Sequence, residues 1–285
     1  MSSTLTMKNW AIKIADIEEL PKYFKPGAED LLKHYEGEPS IIYAPSKDHN
    51  DAVLIMLDQD VVVLEKQEEK VIMTRYPMEE VQFVQMGSVL LDSWLKICGK
   101  TAARYSCDTV YFNTVMDALF EPVLDTLRQK MLHITDTVAT ADTDQLADMK
   151  DIDLKFFNYG TRGLLPGQRV LANAYQPGVK LSFWKRASGR ETEPHLVVLT
   201  EEELIIIKET AEKKKSTTQK YSGIWTHIPL IKINTIDLAP LDDSWGELTI
   251  KMEGQKDLTL HYQADHMEKA QHLIETLISQ KRQSE

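Results

Sequence analysis

The chain lacks long apolar runs and has little cysteine. Nothing in its 285 residues approaches the ~18 uncharged apolar residues that a membrane helix needs. The first twenty residues contain no apolar core of signal-peptide length. Two cysteines, Cys98 and Cys107, are too few for a disulfide framework and do not form a metal-binding pair. These absences predict a cytoplasmic protein with two incidental thiols.

Basic charge is also scarce. The chain has 33 Lys and Arg against 44 Asp and Glu, so its formal net charge is −11. Nucleic acids and anionic membranes attract proteins through a basic face. The balance therefore predicts no nucleic-acid partner and no attraction of the whole surface to membranes. A local basic patch is still compatible with this net charge.

Catalytic and metal-binding signatures are missing as well. The chain contains no G-x-S-x-G, no phosphate-binding P-loop and no G-x-G-x-x-G. His261, His266 and His272 are spaced five and six residues apart, which does not match the four-residue spacing of a helical metal site. We therefore expect no enzyme, no metal and no cofactor.

What the chain does contain is one pattern that occurs twice. Residues 54–84 and 196–236 each hold two apolar, β-branched runs separated by a short acidic turn, which indicates a β-hairpin. Each hairpin is followed by T-x-x-P-Φ-x-x-Φ-x-x-Φ, where Φ is apolar. The first copy of this motif begins at Thr74 and the second at Thr226.

Both copies end in an amphipathic helix, over residues 114–132 and 265–281, where apolar residues recur at helical spacing. About seven strands precede each helix. An antiparallel sheet of that size must close or fold over to remove its edges, and a helix with one apolar face can cap the open end. The spacing thus predicts two β-barrels in tandem.

Four segments follow from these patterns. Residues 1–37 are expected to form a helical N-terminal extension and residues 38–132 the first barrel. Residues 133–164 are acidic, rich in Thr and Ala and poor in large apolar residues, so they are predicted to be a linker. Residues 165–285 form the second barrel.

The order of hairpin, proline motif, further strands and terminal helix resembles the bacterial pleckstrin-homology-like (PH-like) family and the related GRAM-type domains. The matching stretches are 54–64 with 76–84 and 196–207 with 228–236, and the resemblance covers about 38–132 and 165–282. It implies a mainly β fold with helices, namely two PH-like antiparallel barrels, each with a C-terminal helix. It also implies a non-enzymatic scaffold that binds phosphoinositide headgroups, peptides or proteins, or that self-assembles.

In that family, phosphates are held by loops at the open end of the barrel. The corresponding loops of the second copy are rich in cations and are expected to bind an anionic headgroup or phosphopeptide. Solvated surface is the alternative interpretation of such a charge run. The first copy has no basic loops of this kind, and Glu191 and Glu193 stand where the family's lipid binders place cations. The candidate anion-binding residues are Lys185, Arg186, Arg190, Lys213, Lys214 and Lys215.

The sequence therefore predicts a non-catalytic intracellular binding or assembly module that acts through a protein partner or through self-association. The alternative is peripheral binding to anionic lipid or phosphoinositide headgroups through the basic loops of the second copy. An enzyme would need a concave pocket with convergent titratable groups, which the sequence does not indicate.

Overall fold

A computed structural model describes residues 10–134, 139–179, 191–209 and 223–284. The chain is mainly β, with 45% strand and 29% helix, and it ends in a helix, as the sequence predicts. It divides into two compact units, Met1–Met131 and Leu132–Glu285. No helix within the described ranges is both long and apolar enough to cross a bilayer.

The described part of unit 1 contains two sets of antiparallel strands and two α-helices. In the first set each strand pairs with the next along the chain, from β1 to β5, and β6, β7 and β8 form a meander. The strands are β1 (Ile12–Ile14), β2 (Ser40–Ala44), β3 (Ala52–Met56), β4 (Asp60–Gln67), β5 (Lys70–Pro77), β6 (Val81–Val89), β7 (Asp92–Lys100) and β8 (Tyr105–Asn113), and the helices are α1 (Lys25–Leu32) and α2 (Asp117–Leu132).

Both faces of the β1–β5 sheet are covered. One face packs on the β6–β8 meander and on α2, in a core that includes Leu54, Val84 and Leu127. The other face lies under the N-terminal segment, which contributes Phe24 and other apolar residues. This two-sided burial explains why the residues of β3 are all buried and read as a continuous apolar run rather than an alternating one.

Unit 2 has the same kinds of element. β9 to β12 pair in sequence order, and β13 to β15 form a second meander. The strands are β9 (Val170–Gln176), β10 (His195–Thr200), β11 (Glu203–Lys208), β12 (Gly223–Pro229), β13 (Ile233–Asp242), β14 (Trp245–Met252) and β15 (Leu258–Gln263), and the helices are α3 (Met149–Ile152), α4 (Leu154–Arg162) and α5 (Ala264–Ser284).

The segment 133–164, which the sequence predicts to be a linker, carries α3 and α4 and is not an open tether. Met149 and Phe156 are fully buried in a core that includes Leu196 and Ile205 of the β9–β12 sheet. Leu146, Met149 and Phe156 are buried while Ile152 and Leu154 are exposed, so a few buried apolar residues are enough to pack a segment of acidic composition.

The two proline motifs adopt the same local structure. Pro77 has φ −56° and ψ 137°, and Pro229 has φ −56° and ψ 135°. A one-turn 3-10 helix follows each, over Met78–Glu80 and Leu230–Lys232, and the next strand begins directly after it. The proline ring restricts φ, which favours this extended residue before a turn.

The sequence predicts two closed barrels, and this finer expectation is not met within the described residues. In unit 1 β5 pairs with β4, and β6 pairs with β7, but β5 and β6 do not pair with each other. The 3-10 helix Met78–Glu80 carries the chain out of one sheet and into the other. The strand pattern predicts the number of strands well, but closure depends on pairing between distant strands, which periodicity does not report.

Candidate functional site

The six cations that the sequence selects lie outside the described residues. Lys185, Arg186 and Arg190 fall in 180–190, and Lys213, Lys214 and Lys215 fall in 210–222. The expected anion site therefore stays a prediction from sequence. The described positions that flank these segments are His195 at the start of β10 and Lys208 at the end of β11.

His195 lies opposite Gln176 on one side and Lys208 on the other. Gln176 is fully buried and ties β9 to β15, because its Oε1 accepts the Gln263 backbone N–H at 2.7 Å and its Nε2 donates to the Gln263 side chain at 3.2 Å. Lys208 is partly buried, and this burial lowers its pKa while the charge of Glu193 opposes the shift. Polar side chains thus gather at one end of the unit 2 sheet.

The imidazole of His195 is 2% exposed and packs edge-to-face on Tyr262, with 4.9 Å between ring centroids. Its Nδ1 lies 2.9 Å from the carbonyl oxygen of Glu193, which can only accept, so Nδ1 carries the proton. Burial lowers the pKa of His195 to about 4, and the nearby charge of Lys208 adds to the effect, against the Glu193 hydrogen bond. The ring is therefore neutral near pH 7.

Nε2 of His195 and the hydroxyl of Tyr262 have no hydrogen-bond partner within the described part of the chain. Burial also raises the pKa of Tyr262. Because solvent reaches neither atom, the pair cannot act on a substrate from bulk water. We assign it to the packing of β15 against the β9–β10 edge rather than to catalysis.

A second buried polar group lies at the opposite end of the same sheet. Glu203 is 1% exposed, accepts the Gln168 side-chain amide at 2.8 Å, and lies 3.4 Å from Nδ1 of His227. Gln168 in turn accepts the backbone N–H of Leu165 at 2.8 Å. These bonds join the loop after α4 to the β10–β11 hairpin, so a buried carboxylate is held by the Gln168 amide with the His227 imidazole close by.

Unit 1 has a cavity of about 120 Å³ beside the loop that joins β2 to β3. His49 of this loop stacks on Tyr111 with 3.6 Å between ring centroids. Asp92 and Ser93 also line the cavity. Ser93 is fully buried and donates to the Thr114 hydroxyl at 3.0 Å, so its oxygen is committed to a structural bond. The volume suits about four water molecules, and the arrangement does not provide an activated nucleophile.

The loop itself is fixed by Asp51. Its carboxylate accepts the Tyr23 hydroxyl at 2.6 Å, the Tyr43 hydroxyl at 3.0 Å and the Ser46 backbone N–H at 2.8 Å. Burial is the main cause of the raised pKa of both tyrosines, and Asp51 adds to it. Among the described residues, no three His, Cys, Asp or Glu side chains are grouped as a metal ion would require.

The two cysteines, which the sequence treats as incidental thiols, form a disulfide. Cys98 of β7 pairs directly with Cys107 of β8, with 4.1 Å between their Cα atoms. Cys98 is fully buried, whereas Cys107 is exposed. The positions of the cysteines in the sequence could have predicted this bond. They are placed symmetrically about the turn at Thr101–Arg104, so pairing of the two strands sets them opposite each other.

Strand β13 is an accessible surface of unit 2. It is the outermost strand of its meander among the described residues, because it pairs with β14 alone. Seven of its ten residues are exposed. Sequence reasoning identified β13 as a strand but not as an edge, since edge position depends on which strands pair.

Neither a family model nor a curated protein provides a role that could be transferred to the chain. No family model matches the chain. No curated protein matches it at a significant level.

Proposed function

We propose that the chain is a non-catalytic binding and assembly module of two PH-like units, and that it acts through a protein partner at the exposed edge of β13. The observation that carries this proposal is a ten-residue strand that pairs on one side only within the described residues and has seven exposed side chains.

The layout of the units supports the PH-like interpretation. In each unit a hairpin is followed by a third strand that ends at a proline, then by a 3-10 turn, a three-stranded meander and a C-terminal helix. This is the order of elements that the sequence resemblance implies. Because one fold can support many functions, the resemblance favours a scaffold without naming its ligand.

The chemistry of the described residues also favours binding over catalysis. Its buried titratable groups are held in structural bonds, as Glu203 is by Gln168, or are sealed from solvent, as His195 is. An active site instead needs titratable groups that converge on a space that a substrate can enter.

An edge strand offers a partner a row of backbone donors and acceptors. An extended segment of a partner can add to such an edge, with backbone hydrogen bonds providing affinity and alternate side chains providing specificity. On β13 the exposed side chains of Thr235, Asp237 and Ala239 are short or acidic, which leaves the backbone accessible along this part of the strand.

Site-specific photo-cross-linking tests the proposal. A benzophenone amino acid is placed at Thr235 or Ala239 of β13 in cells that make the protein. Matched controls carry it at Glu268 or His272, which are exposed on α5 of the same unit. We expect both β13 positions to give one defined cross-linked protein that the α5 positions do not give, and Asp237→Lys to reduce its yield. Identical patterns at β13 and α5 would overturn the proposal.

A further inference from the structure

Unit 1 also presents an outermost strand. Among the described residues, β5 pairs with β4 alone, so it forms one edge of the β1–β5 sheet. Ile72 is 42% exposed and Met73 is 41% exposed on this strand. Apolar side chains on an exposed edge favour pairing with another strand unless charge or shape prevents it.

The two edges carry opposite charge. The charged residues of β5 are Lys70 and Arg75, with no acidic residue in the strand. Those of β13 are Asp237 and Asp242, with no basic residue. Arg75 bonds Asp60 of β4 at 2.6 Å, yet more than half of its side-chain surface remains exposed. The exposed charge therefore distinguishes one edge from the other.

These charges determine which edges can pair. Like charges on paired strands destabilise a sheet, and opposite charges stabilise it. Pairing of β5 with β5 would bring four cations together, and pairing of β13 with β13 would bring four carboxylates together. Pairing of β5 with β13 joins a cationic strand to an anionic one. Charge therefore disfavours pairing of either strand with its own copy and favours pairing of β5 with β13.

We propose that the partner of β13 is β5 of a second copy of this chain. The inference rests on the proposed function and names its partner. It is a head-to-tail contact, because each copy uses one edge from unit 1 and a different edge from unit 2. One such contact repeated from copy to copy produces rings or open chains, and two reciprocal contacts between the same two copies close a two-fold dimer.

Charge-swap variants test this contact. The first variant, Lys70→Glu with Ile72→Glu, makes β5 acidic. The second, Asp237→Lys with Ala239→Lys, makes β13 basic. Each variant alone has a β5 edge and a β13 edge of like charge. We therefore expect its self-association to be at least about tenfold weaker than that of the unchanged chain. Sedimentation velocity should show monomers of the variant at concentrations where the unchanged chain assembles.

An equimolar mixture of the two variants provides the decisive measurement. The acidic β5 of the first variant then meets the basic β13 of the second, and the unchanged edges also match, so we expect assembly to return. Recovery in the mixture also shows that each variant is folded. Lys33→Glu and Glu253→Lys are the controls. Both residues are exposed but lie outside β5 and β13, so these variants should assemble like the unchanged chain.

Three outcomes would overturn the inference. These are an unchanged chain that stays monomeric at every concentration, variants that assemble alone, and a mixture that stays monomeric. Cross-linking distinguishes this failure from failure of the proposed function. A β13 cross-link to a different protein would leave the proposed function standing and exclude the second copy as partner, whereas no β13-specific cross-link would contradict both.

Discussion

At the scale of single residues, protonation of the buried imidazole of His195 opposes folding. The residue lies between Gln176 and Lys208 and its ring packs on Tyr262, so burial disfavours the charged form. Its pKa falls from the ordinary 6.5 to about 4. The unfolded chain therefore binds the proton more tightly than the folded chain does.

This difference predicts how stability depends on pH. Because the unfolded pKa is the higher one, the contribution of neutral His195 is complete above pH 6.5 and is lost as the pH falls through about 4. The loss is on the order of 3 kcal/mol at roughly 1.4 kcal/mol per pH unit. We expect the free energy of unfolding, measured in urea, to fall more steeply between these pH values for the unchanged chain than for His195→Gln.

The exposed His34 supplies a matched control for this measurement. His34→Gln should follow the unchanged chain across the whole range, since its ring is exposed on the surface of unit 1. Equal slopes for His195→Gln and the unchanged chain would mean that the imidazole of His195 can be protonated in the folded state without cost.

The cysteines also act at this scale. Cys98 is buried on β7, which lies between β6 and β8, whereas Cys107 is exposed on β8, the outermost strand of its sheet within the described residues. Disulfides persist in oxidising compartments and are rare in the reducing cytosol. The Cys98–Cys107 bond thus bears against the cytoplasmic location that the sequence predicts, because that expectation assumed two free thiols.

At the scale of elements, each unit relies on a helical segment to cover the outer face of its first sheet. In unit 2 this segment is α4, and its N-terminus is set by Asp153. The Asp153 carboxylate accepts the backbone N–H groups of Lys155 at 3.1 Å and of Phe156 at 3.2 Å, as well as the Tyr175 hydroxyl at 2.7 Å. One side chain thus caps the helix and ties it to β9.

Removal of this carboxylate should be costly. We expect Asp153→Ala to lower the free energy of unfolding by about 2–4 kcal/mol, as the sum of a lost N-cap and of a lost hydrogen bond to a charged group. Circular dichroism during urea unfolding measures the change. Asp153→Asn keeps an oxygen that can accept the two backbone N–H groups but puts an NH2 group, which cannot accept, in place of the other oxygen, so it should recover only part of the loss.

Asp151→Ala provides the comparison, because Asp151 is exposed two residues earlier in the same acidic segment. We expect it to change stability by less than about 0.5 kcal/mol. If Asp153→Ala were as mild as Asp151→Ala, residues 133–164 would behave as the linker that their composition suggests.

At the scale of the whole molecule, net charge bears on the choice between a protein partner and a membrane. The chain carries a formal charge of −11 at pH 7, so its long-range field repels anionic surfaces. A cluster such as Lys213, Lys214 and Lys215 would have to overcome this field within about 8 Å, the screening distance at physiological salt.

We therefore expect little co-sedimentation with phosphoinositide vesicles at physiological salt. Neutral phosphatidylcholine vesicles provide the baseline. Binding to the anionic vesicles alone, weakened by added salt and abolished by Lys213→Ala, Lys214→Ala and Lys215→Ala together, would contradict the protein-partner proposal. It would favour the membrane alternative instead.

The sequence by itself determined the strands other than β1, which lies in the predicted helical extension, together with the two proline turns and the terminal helices. These follow from local features: apolar runs, the fixed φ of Pro77 and Pro229, and helical spacing of apolar residues. The covering role of α4 was harder to predict, because the residues before it, 133–153, are rich in acidic residues and poor in large apolar ones, and α4 was assigned to the same segment.

Only the tertiary structure decided which strands pair. Pairing opposed Cys98 to Cys107, left the sheets unclosed within the described residues, and placed β5 and β13 at edges. It also buried His195 against Tyr262, although the two residues lie far apart in sequence. Strand pairing depends on long-range contacts, and neither side-chain periodicity nor composition records which distant strand is the neighbour.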